Sequence, residues 1–498
     1  MTGHLSAHTL LRLTRRELIV LVVVFLASLP AVTTRVYSSD EIEYFSYLRS
    51  IWFDHDVSFE NEYQYFYDRN VARTEGFHET FLELETEAGR RPNFGTIGSA
   101  LLWSPFYAVA DLSVRLRRGA GSDVAADGFS PPYVAAVAYG SAFYGFLAVL
   151  LTIGATRRLL DPSPDVELRR DGAAAIRHAE VAPETSPARA DASLVSSVVV
   201  WIGSPLLFYM YVAPPMSHAC SAFAVALFVV VWLHVRRAWT PGGVIALGLC
   251  AGLMAMVREQ DVFFAVGPAL DFLLTGTRGR AFSRSAFAAL AGCAAFGLAM
   301  LPQLLAYQRL NGMMRPSRLV LRKMTWTAPH GLEVLFSPRH GFVFWTPVAV
   351  LAIAGLVWLA ARSNGERRLV AVLALLMIAI QVYVGGSVES WTVAGAFGQR
   401  RFVALTVLLG IGLAALGEAV RGTAWRPALS IAILLCVWWN LALIALFGTG
   451  LMNRQRLELR RNAYDAFVTI PRLAPQLAYR YVFDRQSYYR AAPAARVP

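Results

Sequence analysis

Two adjacent carboxylates, Asp40 and Glu41, stand directly after the first long apolar run of the chain, residues 18–36. Charge at the end of a membrane-spanning stretch costs free energy unless it is paired or used. One use is chemistry: a carboxylate placed there can serve as general base, taking a proton from an attacking hydroxyl. A second is coordination. Asp54, His55 and Asp56 follow closely, so Asp40, Asp54 and Asp56 could together offer oxygen ligands to a divalent cation such as Mg or Mn. A third is structural: Ser38 can act as N-cap with Glu41 at N3, a capping box opening a helix that carries Ile42, Phe45 and Leu48. Capping accounts well for Glu41 and less readily for Asp40, although an acidic first turn also complements the helix dipole.

Four further polar groups interrupt apolar sequence. Pro214-Pro215-Met216-Ser217-His218 ends one helix and opens another, leaving His218 at a boundary where it could touch a substrate. Arg258-Glu259-Gln260-Asp261 is a charged break between two short apolar runs. Arg258 there either pairs with Glu259 or Asp261 or faces an anionic ligand. Ser337-Pro338-Arg339-His340-Gly341 and Phe397-Gly398-Gln399-Arg400-Arg401 each put arginine at the mouth of an apolar run. Arginine suits phosphate, because its planar fork donates two parallel charge-assisted hydrogen bonds. Trp326, Trp345 and Trp391 nearby read as interface anchors rather than sugar platforms.

The elements that must hold these groups are apolar helices. Hydrophobic residues make up 56% of the 498, and the mean hydropathy is +0.45. Runs near the ~20 residues that span a bilayer recur at 18–36, 131–155, 193–212, 217–235, 242–257, 260–275, 285–308, 342–361, 368–386, 402–420 and 427–447. The expected fold is an all-α polytopic membrane protein of about eleven spans. The formal charge of +12 comes almost wholly from arginines between apolar runs, which orient a membrane protein and give no argument for nucleic acid. Cys220, Cys250, Cys293 and Cys436 lie inside apolar runs without metal-like spacing and read as small buried hydrophobes.

Arg12, Arg15 and Arg16 precede the first run, which lacks a small-residue cleavage site and reads as a retained signal anchor with residues 1–17 in the cytoplasm. Residues 97–116, with Pro105 in the middle and Asp111 near the end, read as a helix that does not cross. Residues 37–130 then form a large first periplasmic loop with short interfacial helices. The arginines at 157/158, 236/237, 278/280/284, 362/367/368 and 421/426 become cytoplasmic, and 157–192 is a cytoplasmic linker. A second set of arginines, at 309–322, 339, 400/401 and 454–461, is left outside and calls for a reason. Residues 448–498 form a periplasmic amphipathic tail rich in Arg and Tyr.

The combination Ser39-Asp40-Glu41, Pro215-Met216-Ser217-His218, Arg258-Glu259-Gln260, Phe336 to Gly341 and Gly398-Gln399-Arg400-Arg401 resembles the GT-C superfamily of integral membrane glycosyltransferases. The acidic pair is most similar to that of the protein O-mannosyltransferases and the lipid A aminoarabinose transferases. The resemblance implies a GT-C-like bundle over 18–447 in the inner membrane, with its active site facing the periplasm. It implies a polyprenyl-phosphate-linked sugar as donor, a glycan, lipid or protein as acceptor, and an inverting transfer. Asp40 would be the base, with Glu41 orienting it or the donor. Arg258, Arg339, Arg400 and Arg401 would hold the phosphate, and His218, Gln260, His340 and Gln399 in the same motifs would contact substrate. Members of the superfamily differ in their need for a metal. A transporter or flippase, or a ligase of lipid-linked glycans, is the alternative, but the charges gather at one face and no repeated halves are seen.

Overall fold

The computed structural model describes residues 11–161, 187–279, 281–393 and 395–488. The principal helices in chain order are α1 (Arg15–Ser28), α2 (Ser39–Arg49), α3 (Gly98–Gly119), α4 (Pro131–Leu160), α5 (Pro187–Gly203), α6 (His218–Val235), α7 (Pro241–Val257), α8 (Phe282–Asn311), α9 (Val348–Arg362), α10 (Gly365–Gly386), α11 (Thr406–Ala419), α12 (Arg426–Thr449) and α13 (Ile470–Phe483). Among the described residues there is no strand, only one isolated bridge between Met324 and Val388.

Among the described residues six helices are long and apolar enough to cross a membrane: α4, α6, α8, α10, α11 with the 3-10 turn before it, and α12. Three shorter apolar helices, Ala192–Gly203, α7 and α9, accompany them. The described residues are thus all-helical, with apolar helices of the kind a membrane protein uses. The apolar runs that do not form one long helix are broken by identifiable residues. Pro205 splits 193–212, Pro347 splits 342–361, and 260–275 folds as a 3-10 turn, a helix of six residues and a π turn. Most of the residues read as a linker, 162–186, lie outside the described residues, as do 1–10 and 489–498.

α4, α6 and α11 form the centre of the bundle, while α8 and α12 lie at its edge with much of their apolar surface outward. Two crossings depend on glycine. A Cβ at Gly355 on α9 would lie 1.8 Å from the carbonyl oxygen of Gly412 on α11, and one at Gly248 on α7 would lie 2.2 Å from that of Gly292 on α8. Only the absence of a side chain lets these backbones approach so closely, which is how helices associate where lipid gives no hydrophobic drive. Of the cysteines, Cys220 is buried, Cys250 and Cys436 are half-buried, and Cys293 is exposed on α8. The burial expected of all four therefore fails at Cys293, where the edge helix turns its face outward.

Cross-element contacts define two ends. At one, Arg157 donates to Glu17 (2.6 and 2.9 Å), Arg236 bonds Asp271 and Glu366, and Arg367 donates to the carbonyl of Leu160. At the other lie the start of α2, the start of α6, the end of α7 and the turn before α11. α3 belongs to this second end: it pairs antiparallel with only the first part of α4, Trp103 donating to Ser141 (2.8 Å) and Tyr133 to Asp111 (2.7 Å). Its outward residues, Val109, Leu112 and Leu116, are apolar and exposed.

Candidate active site

The acidic pair sits in the first turn of α2, and its two members do different things. Ser38 caps the helix by accepting from the Glu41 N–H, and the Glu41 Oε2 accepts from the N–H groups of Ser38 (3.2 Å) and Tyr37 (2.7 Å). Glu41 is fully buried, and that burial pushes its carboxyl up to about 8 against the opposing pull of the two backbone donors. At pH 7 the folded chain therefore holds a proton that the unfolded chain, near the usual ~4.3, has released. Folding then binds a proton, so this group makes stability fall as pH rises from about 4.5 to about 8. Glu41→Gln removes the dependence while keeping an acceptor for the cap. Its thermal midpoint relative to the parent should rise across that window, and a pH-independent difference would show that the carboxyl is already ionised in the fold.

Asp40 points elsewhere. Its carboxylate contacts the guanidinium of Arg400, 360 residues on in the chain, and the pair stays partly open, the side chains being 36% and 21% exposed. Arg400 begins the 3-10 turn that leads into α11. Next to it, Arg401 donates to the carbonyl and hydroxyl of Ser390 (2.8 and 3.0 Å). Arg258, in extended backbone just past α7, donates to His218 Nδ1 (2.6 Å), to Gln260 Oε1 (3.2 Å) and to the carbonyl of Arg400 (3.5 Å). Because a guanidinium only donates, His218 Nδ1 is the acceptor, which assigns a neutral ring with its proton on Nε2. Gln260 completes the link by donating to the carbonyl of Arg401 (3.1 Å).

Arg258 makes no salt-bridge contact with either acidic neighbour among the described residues, although its charge still acts on Asp261. Glu259 accepts from Tyr307 and Asp261 from Ser221 (2.5 Å). Arg258, Arg400 and Arg401 all lie within electrostatic reach of His218, and Asp40 forms the one ion pair among them. A cluster with surplus guanidinium beside a partly exposed carboxylate is equipped to take an anion and to move a proton.

No protein-family model matches this chain, and no curated protein does.

The other expected site residues fall around this centre at different depths. His340 is buried and stacked on Trp345 (ring centres 5.1 Å apart). Burial holds that imidazole down at about 4, so it is neutral at pH 7. Trp345 is buried and donates to the carbonyl of Arg339 (2.9 Å), so it is a packing residue here and not an interface anchor. The Arg339 side chain itself is exposed. Gln399 is buried and donates to the carbonyl of Trp391 (3.2 Å), which shapes the turn that presents Arg400.

Asp54 and Asp56 are not brought to Asp40. Asp54 contacts Arg49 and accepts from Asn61 (2.8 Å), while Asp56 accepts from the hydroxyl of Ser50 (2.7 Å) and the N–H of Ser58 (3.0 Å). Each carboxylate thus serves its own local structure. Among the described residues no three His, Cys, Asp or Glu side chains group as ligands for an ion.

Two residues of the site escaped the sequence reading. Glu43 is buried one turn beyond Asp40, and its Oε2 accepts from the N–H of Phe94 (2.6 Å), fixing the 93–95 loop beside the cluster. Burial first, and the charge of Asp40 second, push the Glu43 carboxyl up. It therefore subtracts little from the positive surplus. The i, i+3 spacing from Asp40 was the available signal. Tyr209 packs its ring edge-on against His218 (4.4 Å) and donates to the carbonyl of Phe397 (3.0 Å); nothing in an apolar run distinguishes it from a core tyrosine.

Proposed function

We propose that the protein is a GT-C-type membrane glycosyltransferase that moves a sugar from a polyprenyl-phosphate donor to an acceptor hydroxyl on the periplasmic face of the inner membrane. The observation that carries this reading is the convergence of Arg258, Arg400 and Arg401 around one partly exposed carboxylate, Asp40. The donor phosphate takes the guanidinium forks of this cluster and competes with Asp40 for Arg400, releasing the carboxylate next to the incoming acceptor. Asp40 then accepts the acceptor's O–H proton as that oxygen bonds to the anomeric carbon. The bond from that carbon to the phosphate oxygen breaks, and its electron pair leaves on the phosphate, where arginine stabilises the added charge. Attack from the side opposite the leaving phosphate inverts the anomeric centre.

Orientation follows from charge. Arg12, Arg157, Arg236 and Arg367 gather at the end away from the cluster, which by the positive-inside rule is cytoplasmic and takes the N-terminus with it. The eleven apolar runs then make a GT-C-like bundle, with 37–130 as its first outer loop. The test is transfer from labelled polyprenyl-phosphate sugars by the purified protein, with release of the lipid phosphate as the readout. Arg400→Gln should weaken donor binding by about 1.5–3 kcal/mol, roughly ten- to a hundredfold, the loss of a charge-assisted hydrogen bond. Donor binding that is unchanged in this variant, or no transfer from any such donor, overturns the reading.

A further inference from the structure

Near the Asp40–Arg400 pair, α1, α12, α13 and the chain around α5 line a cavity of about 870 Å³, at the upper end of the ~300–1,000 Å³ usual for small-molecule sites. Its walls are mostly apolar, and the charged residues in them are of one sign: Arg35, Arg454 and Arg485, with no Asp or Glu. The charge is placed unevenly. Arg35 follows α1 and Arg454 follows α12, so both lie at the end of the bundle that carries the cluster, and Tyr37 lines the cavity three residues before Asp40. From there the lining runs back along α12 as far as Trp438, roughly 16 Å at 1.5 Å per residue. Trp201 and Trp438 line the far part and offer it broad apolar ring surface. The mouth faces sideways: Val24 and Val482 line the cavity and are 50% and 61% exposed.

One wall is the C-terminal helix α13. It is fastened to the turn after α1, where Tyr481 donates to the carbonyl of Ala31 (2.8 Å) and Arg485 to that of Val32 (2.7 Å). A long apolar slot that opens toward lipid and is cationic at one end fits a ligand that is itself apolar along its length and anionic at one end. We propose that this cavity holds one hydrocarbon chain of an anionic amphiphile, with the head group at Arg35 and Arg454 and the chain running toward Trp201 and Trp438. The inference does not rest on the transferase reading and holds whether or not Asp40 activates an acceptor.

The test is native mass spectrometry of the full chain in detergent with hexadecyl phosphate, hexadecanol and inorganic phosphate as separate probes. Gly448 lines the cavity at an exposed position where a Cβ meets nothing within 4 Å, so Gly448→Phe adds a ring at the cavity wall from an open site. Ala478→Trp fills it from the exposed face of α13 and serves if the first variant fails to fold. Hexadecyl phosphate should bind one per chain. Its affinity should fall at least tenfold in either filled variant and in Arg454→Gln, with the thermal midpoint of the filled variants retained. Hexadecanol should bind at least tenfold more weakly, and inorganic phosphate should not compete. Parental affinity in a folded, filled variant overturns the chain site. Hexadecanol binding as tightly as hexadecyl phosphate overturns the head-group assignment, and displacement by equimolar inorganic phosphate reduces the site to one for free phosphate.

Discussion

Asp40→Asn is expected to lower the rate of sugar transfer by about 10²- to 10⁴-fold, the usual contribution of a positioned general base. The substitution keeps the size of the side chain and removes only the capacity to hold a proton. Its structural cost is small, because the Asp40–Arg400 pair is partly open to solvent and exposed pairs contribute ~0–1 kcal/mol. Asp40 also takes no part in the capping of α2, which belongs to Ser38 and Glu41. Unfolding therefore cannot mimic the loss of rate, and the two are separated by measuring transfer and thermal midpoint on the same preparation. The parental donor affinity should be kept or improved, since Arg400 loses an internal competitor. Transfer at the parental rate would remove Asp40 from the role of base and with it the main mechanistic claim.

Asp271→Ala should destabilise the protein by about 3–5 kcal/mol, the cost of leaving a buried charge without its partner. Asp271 is completely buried, accepts from Arg236 Nε (2.7 Å) and Nη2 (3.2 Å), and also accepts from the indole N–H of Trp232 (2.8 Å). Truncation strands both donors at once. Glu366 stays 2.6 Å from Arg236 and is 42% exposed, so it softens the loss without cancelling it. Denaturant unfolding in detergent measures the change. The double substitution Arg236→Met with Asp271→Leu should recover much of it, because two apolar groups need no partner. If the single variant unfolds like the parent, Asp271 is not the buried counterion its contacts make it.

What was legible from sequence follows the range of each force. Helix capping acts over three residues, so Ser38 and Glu41 could be read as a box, and the box forms. Hydropathy acts over a helix length, so the apolar runs were visible. Proline and charge inside them, at Pro205, Pro347 and Arg258 to Asp261, then decided which became single long helices. Asp271 shows the limit. It sits inside an apolar run with nothing beside it to announce a role, and its partner Arg236 is 35 residues earlier.

The sequence by itself determined that this chain is a set of apolar helices with acids and arginines at their ends, because composition and periodicity are local properties. Only the tertiary structure decided how those charges are matched. Arg258 turns from its own neighbours, Glu259 and Asp261, to His218, and Asp40 finds Arg400 across most of the chain. A side chain's electrostatic partner depends on distance in space, which falls with the packing of helices and not with separation in sequence. That packing gathered Arg258, Arg400 and Arg401 near a carboxylate that is still accessible, with one salt bridge among them in the described residues, and it aligned Arg35 and Arg454 at one end of an apolar slot.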